Sequence, residues 1–404
     1  MFSRQAEDQY LALDQFSSRA SLESIASEAT TFRSPSTLSV MSQSTVGARA
    51  FSAATPVSTT YFELPDLVLN NFGVSQGWNG QRLFPRLLGD VNGDGFTDIL
   101  GLSFNGLLVS YGTASGQFTQ PAFIYGRTFF PRQNSYDEEY SLGFKLNDVN
   151  GDKRADLVEF LPGGVSVLLG QSDGTFGPAT RTINDFGFKQ GWTIPQYTPR
   201  LMADVNGDGR SDIVGFGYAG ALVALATGET GQNQFKDPIL GLADFGLNQG
   251  WRDADLFPRA LGDVNGDGLA DIVGFGDEGV SVSLSNGDGT FAPMFFALND
   301  FGLAQGWSSQ TFFKRLVGDV NGDNRADIVG FGTAGVYVAL GRSDGTFSAP
   351  ALDVVDFTSR QGWTNDNLYY RDLADLNNDG HLDIAGFGTA GVLAGLNTSS
   401  HFLV

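Results

Sequence analysis

The chain has no cysteine, only two histidines, and no apolar run near the roughly 20 residues of a membrane span. Without cysteine there are no disulfides, zinc thiolate sites or cysteine nucleophiles, and the redox compartment is left undetermined. His381 and His401 stand near no serine nucleophile motif, which argues against a Ser-His-Asp site. Basic residues are scarce, with Lys+Arg 24 against Asp+Glu 45 and a formal charge of −21, so nucleic acid is not an expected partner. The N-terminus carries Arg4, Glu7, Asp8 and Asp14 and lacks the apolar core of a standard secretory signal peptide. No phosphate-binding Gly-x-x-x-x-Gly-Lys loop occurs, and the Gly-x-Gly fragments follow strands rather than open helices.

What the chain has instead is a nine-residue acidic loop in six copies, beginning at Asp90, Asp148, Asp204, Asp263, Asp319 and Asp375. Positions 1, 3, 5 and 9 carry oxygen side chains. These are Asp90, Asn92, Asp94 and Asp98; Asp148, Asn150, Asp152 and Asp156; Asp204, Asn206, Asp208 and Asp212; Asp263, Asn265, Asp267 and Asp271; Asp319, Asn321, Asp323 and Asp327; and Asp375, Asn377, Asp379 and Asp383. Hard oxygen donors alternating along a turn suit Ca²⁺, so up to six Ca²⁺ ions are expected, the carbonyl of position 7 joining the side chains. The plain alternative is a metal-free Asp/Asn/Gly turn, which six copies with the same donor positions disfavour. Eighteen of the 45 acidic residues lie in these loops, so the negative charge belongs to them rather than to an acidic tail.

From Phe62 the chain is periodic, with first Asp residues 58, 56, 59, 56 and 56 apart. Several short β-type runs per unit of this length predict the four-stranded blade of a β-propeller. The unit around Asp263 reads as strands over 259–262, 271–275, 280–284 and 291–298, with a hairpin at Asn286-Gly287-Asp288-Gly289. The sixth unit stops after its third strand, Gly391–Leu396. The N-terminal segment from Phe62 to Phe72 has the Phe spacing of a fourth strand, as in Phe347 to Phe357. An all-β propeller of six blades closed by strands from both termini is therefore expected, with seven blades as the alternative. Residues 1–61 hold 20 Ser or Thr among the first 60 and no acidic loop. They read as a disordered leader, with a targeting segment, a propeptide or a degenerate blade over 37–42, 48–53 and 59–64 as alternatives. The propeller domain is assigned to 62–404.

All five tryptophans share one repeat position. Trp78, Trp192, Trp251, Trp307 and Trp363 lie 12 residues before the first Asp, and Arg86, Arg200, Arg259, Arg315 and Arg371 lie four before it. The unit at Asp148 has neither, with Phe144 in place of the arginine. Loss of both together implies one purpose. The pair is either an inter-blade brace, guanidinium on aromatic or carbonyl, or the aromatic and polar floor of a ligand pocket. The segments between Trp and Arg differ from unit to unit, as recognition loops do. Acidic residues outside the loops, such as Asp137, Glu138 and Glu139, cluster in an irregular insert and do not form the separated pair of a glycosidase. No enzyme is expected.

The run Asp-x-Asn-Gly-Asp-x-x-x-Asp followed by Ile-Val-Gly-Phe-Gly resembles the FG-GAP/VCBS repeats of integrin α-subunit propellers. The full unit, Asp-Phe-Gly-x-x-Gln-Gly-Trp, then Arg, the Asp loop, Gly-Phe-Gly and Gly-Asp-Gly-Thr-Phe, is similar to the repeat of the Psathyrella velutina lectin family over about residues 62–404. That resemblance implies a Ca²⁺-bearing propeller binding N-acetylglucosamine-type glycans or glycoproteins between blades, and it favours the ligand reading of the Trp/Arg positions. It also favours an extracellular or cell-surface place. The chain departs from that family in having six units rather than seven, and no Lys-His pair between Trp and Arg. It also has a leader. An adhesion propeller that binds protein partners on its ring face, or an accessory domain of a surface or toxin complex, is the alternative.

Overall fold

The computed structural model describes residues 60–125 and 143–398. Within them lie six antiparallel four-stranded sheets arranged as blades of one ring, a six-bladed β-propeller. Numbering blades by their Asp loops, blade 1 is Arg86–Gly89, Asp98–Ser103, Gly106–Ser110 and Ala122–Tyr125. Blade 4 is Arg259–Gly262, Asp271–Phe275, Val280–Ser283 and Phe295–Leu298. The fourth strand of blade 4 is shorter than the sequence implied, because Phe291 pairs only singly with Ser285 at the hairpin base.

Blade 6 takes Arg371–Ala374, Asp383–Phe387 and Val392–Gly395 from the C-terminal end and Asp66–Leu69 from the N-terminal end. Phe62 bridges Asn397, and Asp66 pairs with Ala394. The join removes the free edge that the third strand would otherwise expose. The expectation of six blades with this closure is correct. The strands proposed for an extra blade at 37–42 and 48–53, and the leader up to residue 59, lie outside the described residues, as does the acidic insert at 137–139.

The sequence of the second strand explains the layering. Asp-Ile-Val-Gly-Phe is buried at every position, since it is flanked by strands and sandwiched between blades. Fourth strands form the outer rim and leave Leu67, Phe123, Leu240, Phe296 and Leu352 exposed. First strands contact those of the next blade and so stand innermost.

Candidate functional site

Every first strand ends in an Asp loop, and all but that of blade 2 carry the Trp/Arg frame at the start. A four-residue strand spans about 13 Å, so the two constellations lie at opposite ends of the innermost layer.

At the first end, Asp-Phe-Gly sets the geometry. Phe72, Phe186, Phe245, Phe301 and Phe357 adopt left-handed φ of 56–59°, costly for a bulky residue. Full burial of each ring offsets that cost. So does the preceding Asn71, Asp185, Asp244, Asp300 or Asp356, whose Oδ1 accepts the Phe amide at 2.5–2.7 Å. The Trp indole stacks on this Phe at 4.8–5.2 Å. Its far edge lies over the glycine of the second strand. A Cβ on Gly101, Gly215, Gly274, Gly330 or Gly386 would come within 2.3–2.5 Å of an indole or Phe ring carbon.

The arginines sit 0–8% exposed, and the tryptophans 5–8%. Arg86, Arg200, Arg315 and Arg371 donate Nη1 to the carbonyl of that Phe at 2.8–3.2 Å. Arg259 uses Trp251 O and Phe257 O instead. Each guanidinium also lies 4.8–5.3 Å from a Phe ring of the preceding blade: Phe387, Phe160, Phe216, Phe275 and Phe331 in turn. Burial lowers the arginine pKa to about 10 for Arg86, Arg200 and Arg259 and about 9 for Arg315. They remain cations at neutral pH. The geometry is that of the inter-blade brace. Among the described residues, guanidinium and indole meet closely in blade 6 alone, where Arg371 is 5.9 Å from Trp363.

Blade 2 shows the frame by its loss. Phe144 replaces the arginine, Leu102 of blade 1 replaces the Phe it would stack on, and Glu159 occupies the glycine position opposite Phe144. The sequence reading missed this coupled glycine and the Phe of Gly-Phe-Gly as its partner. Both signals were present in the repeat alignment of the one irregular unit.

The segments between Trp and Arg, read as variable loops, link the blades. Ala254 N donates to Gln196 O, Gln310 N to Asp255 O, Asp366 N to Thr311 O and Gln81 N to Asn367 O, at 2.6–3.0 Å. They also share a feature not seen in the sequence: three residues before each Arg stands an apolar side chain. Leu83, Tyr197 and Phe312 are exposed there, and Leu256 and Leu368 are partly so.

At the other end the six Asp loops interlock. The position-8 amides of Ala155, Ser211, Ala270, Ala326 and Leu382 donate to the position-1 carbonyl of the loop before, and Thr97 Oγ1 to Asp375 O closes the circle. Inside a loop, Asp263 accepts Gly266 N, Asp267 N and Gly268 N, Asn265 Oδ1 accepts Asp267 N, and Asp267 accepts Leu269 N. These bonds hold the arms of positions 1, 3 and 5 at the surface. Position 9 turns inward. Asp271 is fully buried and accepts Val264 N at 3.0 Å and Ser285 N at 2.8 Å. All six position-9 carboxyls share this arrangement. Burial pushes each pKa up to about 7, and the aspartates at positions 5 and 1 of the same loop add to the rise. A cleft of about 740 Å³ lies between the loops of blades 4 and 5, lined by Asp263, Asp267 and Asp319 among others.

The donor set fits a hard cation, with three oxygen arms on a preformed turn and a fourth donor, the position-9 carboxyl, at its root. Among the described residues, no three acidic or histidine side chains already stand as a preassembled metal cage.

The FG-GAP-like repeat model matches residues 148–215 and 319–386. An Agrocybe aegerita lectin, solved for its specific recognition of non-reducing terminal N-acetylglucosamine, superposes with a TM-score of 0.67 and 34% identity, over 83% of this chain and 82% of that one. The Photorhabdus luminescens Tc holotoxin pore superposes with a TM-score of 0.54 and 18% identity over 82% of this chain and 14% of that one, a likeness of fold alone. No curated protein matches the chain significantly.

Proposed function

Because the chain belongs to the family of FG-GAP-repeat β-propellers that includes the Agrocybe aegerita lectin, we propose that it is a non-enzymatic, multivalent lectin for glycans ending in N-acetylglucosamine. The observation that carries the reading is 34% identity over 83% of this chain to a protein of that specificity. The pockets are assigned to the Trp/Arg end of the blades. The buried Trp and Arg hold the pocket's frame, and Leu83, Tyr197 and Phe312 offer the exposed apolar surface that covers one face of a sugar ring. Repetition on one rigid ring supplies avidity on a glycan-bearing surface.

Ca²⁺ is the proposed cofactor, held by the side chains at loop positions 1, 3, 5 and 9 and the carbonyl at 7. When bound it would supply a fixed double positive charge that neutralises the loop carboxylates. The chain's own residues do the rest: the amide bonds inside each loop preset the arms, and the amides between loops pass their order around the ring.

A glycan array, run with and without EDTA, tests the lectin. Selective binding of terminal N-acetylglucosamine is expected. It should weaken about tenfold or more in a Leu83→Ala/Tyr197→Ala/Phe312→Ala variant that keeps its melting temperature, since multivalent binding multiplies the loss at each site. Failure to bind any glycan at any Ca²⁺ level would sink the reading. Melting temperature should also rise with Ca²⁺, each site adding about 2.7 kcal/mol at 100 times its Kd.

A further inference from the structure

We infer that the six Asp loops are two classes of Ca²⁺ site, three tight and three weak, sorted by the residue at position 7; this rests on the reading of the loops as Ca²⁺ sites. In three loops position 7 is arginine, and its guanidinium already occupies the position-5 carboxylate. Arg154 Nη2 lies 2.5 Å from Asp152 Oδ2, Arg210 Nη2 lies 2.5 Å from Asp208 Oδ2, and Arg325 pairs with Asp323 in the same way. The same Oδ2 accepts the position-3 Asn Nδ2 in all six loops, so the guanidinium is what sets these three apart.

Arg154 and Arg325 are not free to swing aside. Arg154 Nε donates to Gly170 O and Arg325 Nε to Gly341 O, tying the loop to the base of its blade's outer hairpin. The stems of Arg154, Arg210 and Arg325 pack over Gly93, Gly151 and Gly266 of the preceding loop, so closely that a Cβ there would lie 3.0–3.3 Å from Cγ.

The other three loops carry Phe96, Leu269 and His381 at position 7. Leu269 and His381 fill the same place over Gly207 and Gly322. Packing on the neighbouring loop therefore needs no charge, and the guanidinium is an addition to it. Three Asp give each loop −3, and arginine makes it −2 at Asp204 and Asp319. At Asp148, Lys153 beside Arg154 leaves −1. Ligand charge and the freedom of the arms set the affinity of oxygen-donor Ca²⁺ loops over decades, and a fixed cation in van der Waals reach of a ligand opposes a divalent ion directly. Blades 1, 4 and 6 are the metal-stapled ones. Blades 2, 3 and 5 carry an internal cation that braces them before any metal arrives, and the loop at Asp148 is the weakest of all.

The test is calorimetric titration of the chelator-stripped full chain with CaCl₂, with ions per chain counted by equilibrium dialysis. Wild type should take three ions, then three more at about tenfold or higher free Ca²⁺. Arg154→Leu/Arg210→Leu/Arg325→Leu, which copies the natural Leu269, should convert the isotherm to five tight sites, the loop at Asp148 still carrying Lys153. Leu269→Arg should leave two tight sites, and it reports independently should the triple variant fold poorly. Six equivalent ions in wild type, or no change in the tight count in both variants, would overturn the inference while leaving Ca²⁺ binding intact. No ion bound by wild type would overturn the metal reading itself.

Discussion

A single repeat unit can hold two chemically opposite roles for one residue type. Asp at loop positions 1 and 5 is a surface arm, whereas Asp at position 9 is an interior staple for two backbone amides. Removing the staple leaves two buried N–H groups unpaired, each costing about 1–3 kcal/mol. Asp271→Ala should therefore destabilise the calcium-free protein by about 2–6 kcal/mol in urea unfolding. Asp267→Ala should stay within about 0.5 kcal/mol there but lose its share of Ca²⁺-dependent stabilisation. Equal effects of the two in EDTA would refute the division of roles. The glycine beneath the indole is as particular. Gly274→Ala would push a Cβ to 2.4 Å from Trp251 and 2.5 Å from Phe245. Overpacking of this kind costs about 1–3 kcal/mol, and the melting temperature should fall with a change in near-ultraviolet dichroism from the displaced Trp. Neither role could be read from spacing, because Asp and Gly are also ordinary turn residues.

The fourth strand of blade 6 differs from its counterparts in coming from the opposite end of the chain from its sheet neighbours. Its start is held by Asp353 of blade 5, whose two carboxylate oxygens accept Tyr61 N at 2.6 Å and Phe62 N at 3.0 Å. The equivalent positions in other blades are Val68, Ile124, Thr182, Gly241 and Ala297, so the carboxylate is placed only where the ring closes. Burial raises the Asp353 pKa, the two amides pulling it partway back. A carboxyl whose pKa is raised on folding contributes fully below its unfolded value and loses that contribution as pH rises through the folded one. Against Asp353→Asn as a neutral reference, the wild-type advantage in melting temperature should be largest below the ordinary carboxylate range and narrow toward neutral pH. An advantage that grows with pH would contradict this account.

At the scale of the whole molecule, closure depends on that strand. A chain starting at Ser58 should remain a closed, monomeric propeller. One starting at Gly73 should expose the Val392–Gly395 edge and self-associate. Size-exclusion chromatography separates the outcomes, and a monomeric, stable Gly73 chain would argue against closure by the terminal strand. Order passes around the whole ring through the bonds between Asp loops. The amides between Trp–Arg segments join blades 3, 4, 5, 6 and 1 in a second series that stops at blade 2.

The repeat count, strand order, six-blade closure and the joint loss at Asp148 were all legible in the sequence. They follow from periodicity, and periodicity is a property of the chain alone. The tertiary structure decided what the repeated residues do. The five arginines each lie over a Phe of the preceding blade, Phe160, Phe216, Phe275, Phe331 or Phe387, a contact that spacing within one repeat does not reveal. The loop carboxylates divide into arms and staples only when the amides of a later hairpin, such as Ser285, come to meet them. Sequence spacing sets which residues recur. Direction, burial and partner across a blade boundary are set by packing between segments tens of residues apart, and those contacts have no signature within a single repeat.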